Sequence, residues 1–199
     1  MVRALRLILA SSSPRRRRLL AEAGFDFEVR PPPVEEPSDL AAELPPARRA
    51  EALAYFKARR VADQCPQAYV LGADTIVAAG GRILGKPGDR QEAEAMLRCL
   101  SGTRHEVITG VALLAPGGHK RIASESTFVT MRPMSDEEID EYLASGEWIG
   151  KAGAYAIQET ADRFVDRIEG SWSNVVGLPI ERVGRMIAEA KGPPGREKA

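Results

Sequence analysis

The chain has 199 residues, enough for one domain with a well-buried core, and its 44% hydrophobic and 28% charged content reads as soluble and globular. Lysine plus arginine and aspartate plus glutamate both number 28; this zero formal net charge argues against general nucleic-acid binding and makes a local RRRR run a site rather than a polyanion track. No apolar run approaches a membrane span, the basic N-terminus lacks a signal-peptide core, and Cys65 and Cys99 fit no zinc or redox spacing, so a cytoplasmic protein with two free thiols and neither a membrane nor a nucleic-acid partner is expected.

Leu7-Ile8-Leu9 suits a strand buried on both faces. Three serines end it, and Pro14 takes the first position of a helix whose opening turns carry Arg15 to Arg18 before Leu19 and Leu20. Free backbone N–H groups and the positive end of a helix dipole meet at such a turn, and arginine offers phosphate a planar fork. Ser11, Ser13, Arg15 and Arg16 therefore read as a polyphosphate cradle, favoured over a plain serine-capped helix with a solvated basic face. Phe25 to Arg30 alternates and predicts a second strand. Pro31 to Pro46 is a proline-rich, acidic loop over the site, in which Glu35 and Glu36 read as solvated acids ahead of metal-facing ones. A helix from about Ala47 to Asp63 presents Ala50, Leu53, Ala54 and Val61. Lys57 falls inside that stripe, and a snorkelling lysine and an ammonium aimed into a cleft are equally supported.

Tyr69-Val70-Leu71 and Ile76-Val77 predict strand segments interrupted by Gly72-Ala73-Asp74-Thr75. An acid between two buried segments is costly unless it is paired or binds a metal, so Asp74 reads as functional rather than as a turn cap. Gly80-Gly81 predicts a tight hairpin to Arg82–Leu84, after which Lys86 of Gly85-Lys86-Pro87 stands at a strand end. Asp89 to Leu100 reads as a helix with Asp89 as N-cap and Glu92 completing a capping box, and Ser135 to Glu138 as a second capping box. Between them, Glu106 to Leu114 and Ile122 to Met131 read as an antiparallel pair around Pro116-Gly117-Gly118. Gly146 to Gln158 carries small residues that allow close approach, punctuated by Lys151 and Gln158. The Gln158 amide suits a base edge, although a polar strand end is the commoner role. Gly170 to Pro179 reads as a loop, Pro179 opens a last helix to about Ala190, and Lys191 to Ala199 reads as a disordered tail.

The segments ASSSPRR, GADTIV, GKP, SGTRHEVITGV, GKAGAYAIQ and GSWSNVVGLP, in this order between Ala10 and Pro179, resemble the Maf family of nucleoside triphosphate pyrophosphatases. The resemblance implies an α/β fold: a long twisted mixed sheet flanked by helices, with two lobes and a central cleft, similar to the inosine-triphosphate pyrophosphatases. It also implies one catalytic domain over residues 1–190 and a homodimer. It puts the proton-accepting catalytic aspartate on Asp74, phosphate-side residues on Ser11, Arg15, Lys57 and Lys86, an acidic loop position on Glu36, and base-selecting residues on Arg15, Thr75 and Gln158. A divalent cation, Mg²⁺ or Mn²⁺, held with the carboxylates Glu36 and Asp74, is implied as well. The implied reaction is hydrolysis of a nucleoside triphosphate to its monophosphate and pyrophosphate. The AYAIQ version around Gln158 resembles the subgroup acting on dTTP and UTP, with CTP and modified pyrimidine nucleotides as further substrates. A 7-methyl-GTP preference and a non-catalytic nucleotide-binding regulator of cell division are the alternatives. Glu159, where many members of that subgroup have glycine, is a departure from the pattern.

Overall fold

Residues 5–33 and 41–191 are described by a computed structural model. Its axis is β3 (Tyr69–Ala79), an unbroken strand of 11 residues. Around it one mixed sheet of seven strands runs in the order β2 (Glu28–Val29), β1 (Leu7–Leu9), β3, β5 (Arg104–Leu114), β6 (Lys120–Met131), β7 (Val165–Glu169). The seventh strand, β4 (Arg82–Leu84), pairs with the far end of β3. β1 lies parallel to β2 and β3, and every other pairing is antiparallel. Among the described residues six α-helices flank the sheet: α1 (Pro14–Glu22), α2 (Pro46–Ala62), α3 (Arg90–Leu100), α4 (Asp136–Ser145), α5 (Trp172–Val176) and α6 (Ile180–Lys191).

Alternation along the strands sorts the core into two faces. Leu7, Leu9, Leu71, Ala73 and Val77 pack with Leu97 of α3, Tyr142 of α4 and Val183 of α6. Ile8, Val70 and Ala112 face the other way, against Ala54, Ala58 and Val61 of α2. A strand covered on both sides has no polar position to spare, which is why Leu7-Ile8-Leu9 is a continuous apolar run.

The interruption expected at Gly72 to Thr75 does not occur; the strand passes straight through. Gly72 is small because α2 lies directly on the sheet backbone there. A Cβ on Gly72 would stand 2.3 Å from the Ala54 carbonyl oxygen, and one on Gly110, on the same face and two residues along β5 from the Ala112 that pairs with Gly72, 2.2 Å from the Ala50 carbonyl. Ala50, Ala54 and Ala58, all fully buried, complete the contact from the helix side. The second strand is two residues long rather than six, because β1 offers only three residues to pair with. The strand at Val165–Glu169 and the helix at Trp172–Val176 carry little local signal: the first alternates poorly and the second is a single short turn capped by Ser171. Asp89 and Ser135 cap α3 and α4 as predicted, and Ser13, read as part of a phosphate cradle, also caps α1. The Glu92 carboxylate, however, accepts from Gly88 N and not from Asp89 N, so only Ser135–Glu138 closes a full capping box. Glu35, Glu36 and residues 192–199 of the predicted tail lie outside the described residues. Among the described residues no helix is long and apolar enough to cross a membrane.

One feature of the sheet positions the cleft. β1 pairs with β3 only at Tyr69–Leu71, and β4 only at Val77–Ala79. Between them the β3 edge at Gly72–Ile76 carries no strand among the described residues. Successive residues of a strand point to opposite faces, so Asp74 and Thr75 reach one common space only because this edge is open.

Candidate active site

A cleft of about 840 Å³ opens at the gap. The serine–arginine turn after β1 forms one wall, with Ser11, Ser13, Arg15 and Arg16 all lining it. The turn is wound by its own hydroxyls: Ser13 N donates to Ser11 Oγ at 3.2 Å, and Arg16 N donates to Ser13 Oγ at 3.4 Å. At about 100° per helical residue the four arginines fan apart. Arg15 and Arg16 turn inward, half-buried, while Arg17 and Arg18 stay exposed and Arg18 pairs with Glu22. Burial holds the Arg15 guanidinium below its ordinary value, partly offset by the fields of Glu159 and Tyr142.

Arg16 is committed differently. Its Nε donates to the Gly177 carbonyl at 2.8 Å, Nη2 to Thr75 Oγ1 at 3.0 Å and Nη1 to Ser11 Oγ at 3.5 Å. It therefore bolts α1 to β3 and to the turn after α5, and its phosphate-cradling share is what those bonds leave. Gly177 sits at φ 123°, and a Cβ there would press on Thr75 Oγ1 at 3.3 Å, so the bolt needs glycine. A buried hydroxyl chain continues from Thr75: its Oγ1 lies 3.0 Å from Thr109 Oγ1, and Thr109 Oγ1 donates to the Asn174 carbonyl at 3.0 Å. Asn174, fully buried, donates in turn to Val107 O and Thr127 Oγ1. The donor order that satisfies every group is Arg16 to Thr75 to Thr109 to Asn174, which spends the Thr75 proton inward and leaves it facing the cleft as an acceptor.

Across from the turn, Lys57 reaches from α2 to Asp74 on β3. Its Nζ donates to Asp74 Oδ1 at 2.5 Å, with the two side chains 12% and 13% exposed. Of the two readings of Lys57, the structure takes the cleft-facing one; the close docking at Gly72 and Gly110 is what brings its stem within reach. Lys86 and Gln158 also line the cleft, so every predicted site residue that the structure describes meets in one place. Gln158 Nε2 is buried with no partner among the described residues. Glu36 lies outside them. Among the described residues no three His, Cys, Asp or Glu side chains gather as a metal-binding group.

Several cleft residues were not singled out from sequence as site residues. Pro31 to Pro33 line the cleft, as do Lys151, Tyr155 and Glu159. Tyr155 is nearly buried, and its hydroxyl meets His105 Nε2 at 2.9 Å with the rings edge-to-face at 5.5 Å. Nothing in a lone tyrosine within an apolar run announces this pairing. Burial lowers His105 from 6.5 to about 4. The unfolded chain therefore takes up a proton near pH 6.5 that the fold refuses until about pH 4. Stability is full above this window, falls by up to roughly 3 kcal/mol as pH drops across it, and levels off below as far as His105 is concerned. Urea unfolding at a series of pH values checks this, and His105→Gln is expected to flatten that slope. Glu138, held down to about 2 by Arg132, adds its own loss only below about 4.5, so the slope between pH 6.5 and about 4.5 is free of its contribution.

The sequence pattern of the family described as Maf-like protein matches residues 6–190. This chain belongs to that family. A dTTP/UTP pyrophosphatase of Geobacillus sp. (strain WCH70) is 48% identical to this Maf chain over 181 residues, 91% of this chain and 96% of the relative. One from Salinibacter ruber (strain DSM 13855 / M31) is 50% identical over 183 residues, 91% and 89% respectively. A HAM1 protein from Coxiella burnetii shares the Maf chain's fold at a TM-score of 0.52 and 17% identity, covering 93% of this chain and 99% of that one. The mixed sheet with flanking helices and the membership implied by the six motifs are thereby both confirmed.

Proposed function

We propose that this Maf protein hydrolyses dTTP and UTP to the nucleoside monophosphate and pyrophosphate. The observation that carries the reading is Asp74 paired with Lys57 in the same cleft as the serine–arginine turn. Its support is near 50% identity, over nine-tenths of the chain, to proteins named dTTP/UTP pyrophosphatases.

In this mechanism Lys57 holds Asp74 by Oδ1, and Oδ2, which has no protein donor among the described residues, faces the reacting water. Asp74 takes a proton from that water as its oxygen bonds to the α-phosphorus. The bond from phosphorus to the α,β-bridging oxygen breaks, and its electron pair leaves on pyrophosphate. Arg15 and Lys86 stabilise the negative charge that spreads over the phosphate oxygens. Asp74 is the described carboxylate that would hold a hard divalent cation here, with Glu36 as its expected companion outside the described residues. When bound, Mg²⁺ or Mn²⁺ would supply charge neutralisation at the phosphates. At the nucleoside end, a uracil or thymine edge offers two carbonyl acceptors around one N–H donor. Gln158 brings an unspent amide donor to that edge, and Thr75 brings an acceptor.

Arg15→Ala is expected to raise KM for dTTP and lower kcat together, because its phosphate contact tightens in the transition state. Initial-rate kinetics read both; a change in thermal stability alone would return Arg15 to a structural part. The reading as a whole is tested by pyrophosphate release from dTTP, UTP, CTP, 7-methyl-GTP and the purine triphosphates, with and without Mg²⁺ or Mn²⁺. Metal-dependent release led by dTTP and UTP is expected. A lead by 7-methyl-GTP overturns the base preference, and binding without release overturns the enzyme. A homodimer, a cytoplasmic location and a single two-lobed unit over residues 1–190 belong to the same proposal; sedimentation tests the dimer.

A further inference from the structure

We propose that Lys151 binds phosphate in this cleft and, together with Lys86, grips the end of the triphosphate that departs as pyrophosphate. The inference rests on the pyrophosphatase reading and names the part of the site that receives the leaving group.

It begins from how the cations of the cleft are employed. Lys57 is bonded to Asp74, and Arg16 spends three donors on Gly177, Thr75 and Ser11. Arg15 sits in the field of Glu159. Lys86 and Lys151 make no ion pair with a carboxylate among the described residues. Among the described residues the Lys151 ammonium meets only the Ile149 carbonyl of its own turn, at 3.4 Å, close to the outer limit of a hydrogen bond.

The two lysines belong to loops more than sixty residues apart, yet the fold ties those loops together. Gly153 N donates to the Gly85 carbonyl at 3.0 Å, so Lys86 follows one end of this bond and Lys151 precedes the other by two residues. The turn is also seated on the sheet: Gly153 holds φ 70°, and a Cβ there would stand 3.1 Å from Val77 of β3. Lys151 thus projects from an anchored turn. Two ammonium groups that line one cleft from tied loops, neither ion-paired with a carboxylate among the described residues, raise the local positive potential, and a multivalent anion there is favoured.

The rest of the cleft says which anion and which way round. Thr75 has spent its proton inward and cannot donate to a phosphate, while Gln158 offers a neutral amide. These groups suit the base. The β- and γ-phosphates hold the highest charge density of a nucleoside triphosphate and fall to the lysine pair.

The test uses the full chain with Mg²⁺ and compares Lys151→Met with Lys151→Arg. In the methionine variant, KM for dTTP and the inhibition constant of inorganic pyrophosphate are each expected to rise about tenfold, the scale of one lost charge-assisted hydrogen bond. Inhibition by dTMP is expected to stay unchanged, as is the thermal midpoint, and Lys151→Arg to restore most of the pyrophosphate affinity. A methionine variant with wild-type pyrophosphate inhibition overturns the proposal. So does one in which dTMP and pyrophosphate weaken equally, since that reports a distorted cleft. Lys151→Gln, polar and of similar length, takes the place of methionine should that variant not fold. If the wild-type chain releases no pyrophosphate from any triphosphate, the function reading itself has failed; if it does and only the lysine variants are silent, the failure belongs to Lys151 alone.

Discussion

Replacing Asp74 with asparagine is expected to preserve the fold and nucleotide binding and to cut turnover by at least about two orders of magnitude, the usual scale for a lost general base. The substitution keeps shape and volume, so Ile76 and Ile108 beside it stay packed with Ala50 and Leu53. It retains a carbonyl oxygen for Lys57 but removes the basic lone pair and the negative charge. Lys57, 12% exposed, then loses the carboxylate charge of Asp74 beside it, and some stability goes with that weakened pair. Substrate phosphates can supply that charge. Affinity for dTTP is therefore expected to hold or to tighten while kcat collapses. Calorimetric titration with dTTP beside steady-state pyrophosphate release separates the two, and near-normal turnover would remove Asp74 from the mechanism.

The second large effect comes from a residue that no substrate touches. Gly110→Ala is expected to lower stability by about 3 kcal/mol or more, beyond the common range for overpacking, because the added methyl meets backbone and not a movable side chain. Its Cβ would fall 2.2 Å from the Ala50 carbonyl carbon and oxygen and 2.5 Å from Glu51 N, so α2 as a whole must lift. For a chain of this size that corresponds to a fall of roughly 6 to 12 °C in the thermal midpoint. Lifting α2 also draws Lys57 away from Asp74, which lies directly across the ladder from Gly110. Residual folded protein should therefore show depressed kcat as well. Thermal unfolding followed by circular dichroism, with activity measured well below the transition, reads both; an alanine variant as stable as the parent would mean that α2 does not rest on the sheet as described.

The features legible in the sequence share a short range. The Ser13 hydroxyl caps its helix through a bond that spans three residues, and Ser135 does the same with Glu138. Leu7-Ile8-Leu9 announces its two-sided burial by composition alone. Asp74 stood out because an acid within an apolar stretch is expensive, and that argument needs no partner to be known. The same stretch also misled: glycine beside a charged residue reads as a strand break, when the glycine is there for a helix that passes over it.

What the sequence alone determined is therefore the strand–turn–helix at the start, the caps, the two-faced core and a small set of charged residues in need of a reason. Tertiary structure decided which of them work together. Arg16 and Gly177 bond across 161 positions, Thr109 and Asn174 across 65, and Lys57 and Asp74 across 17. No local propensity carries information over such spans. They are set by the register of β3 against β5, by how closely α2 can approach two glycines, and by the edge of β3 that β1 and β4 leave open, and only these turn four equivalent arginines and one ambiguous lysine into distinct parts of one cleft.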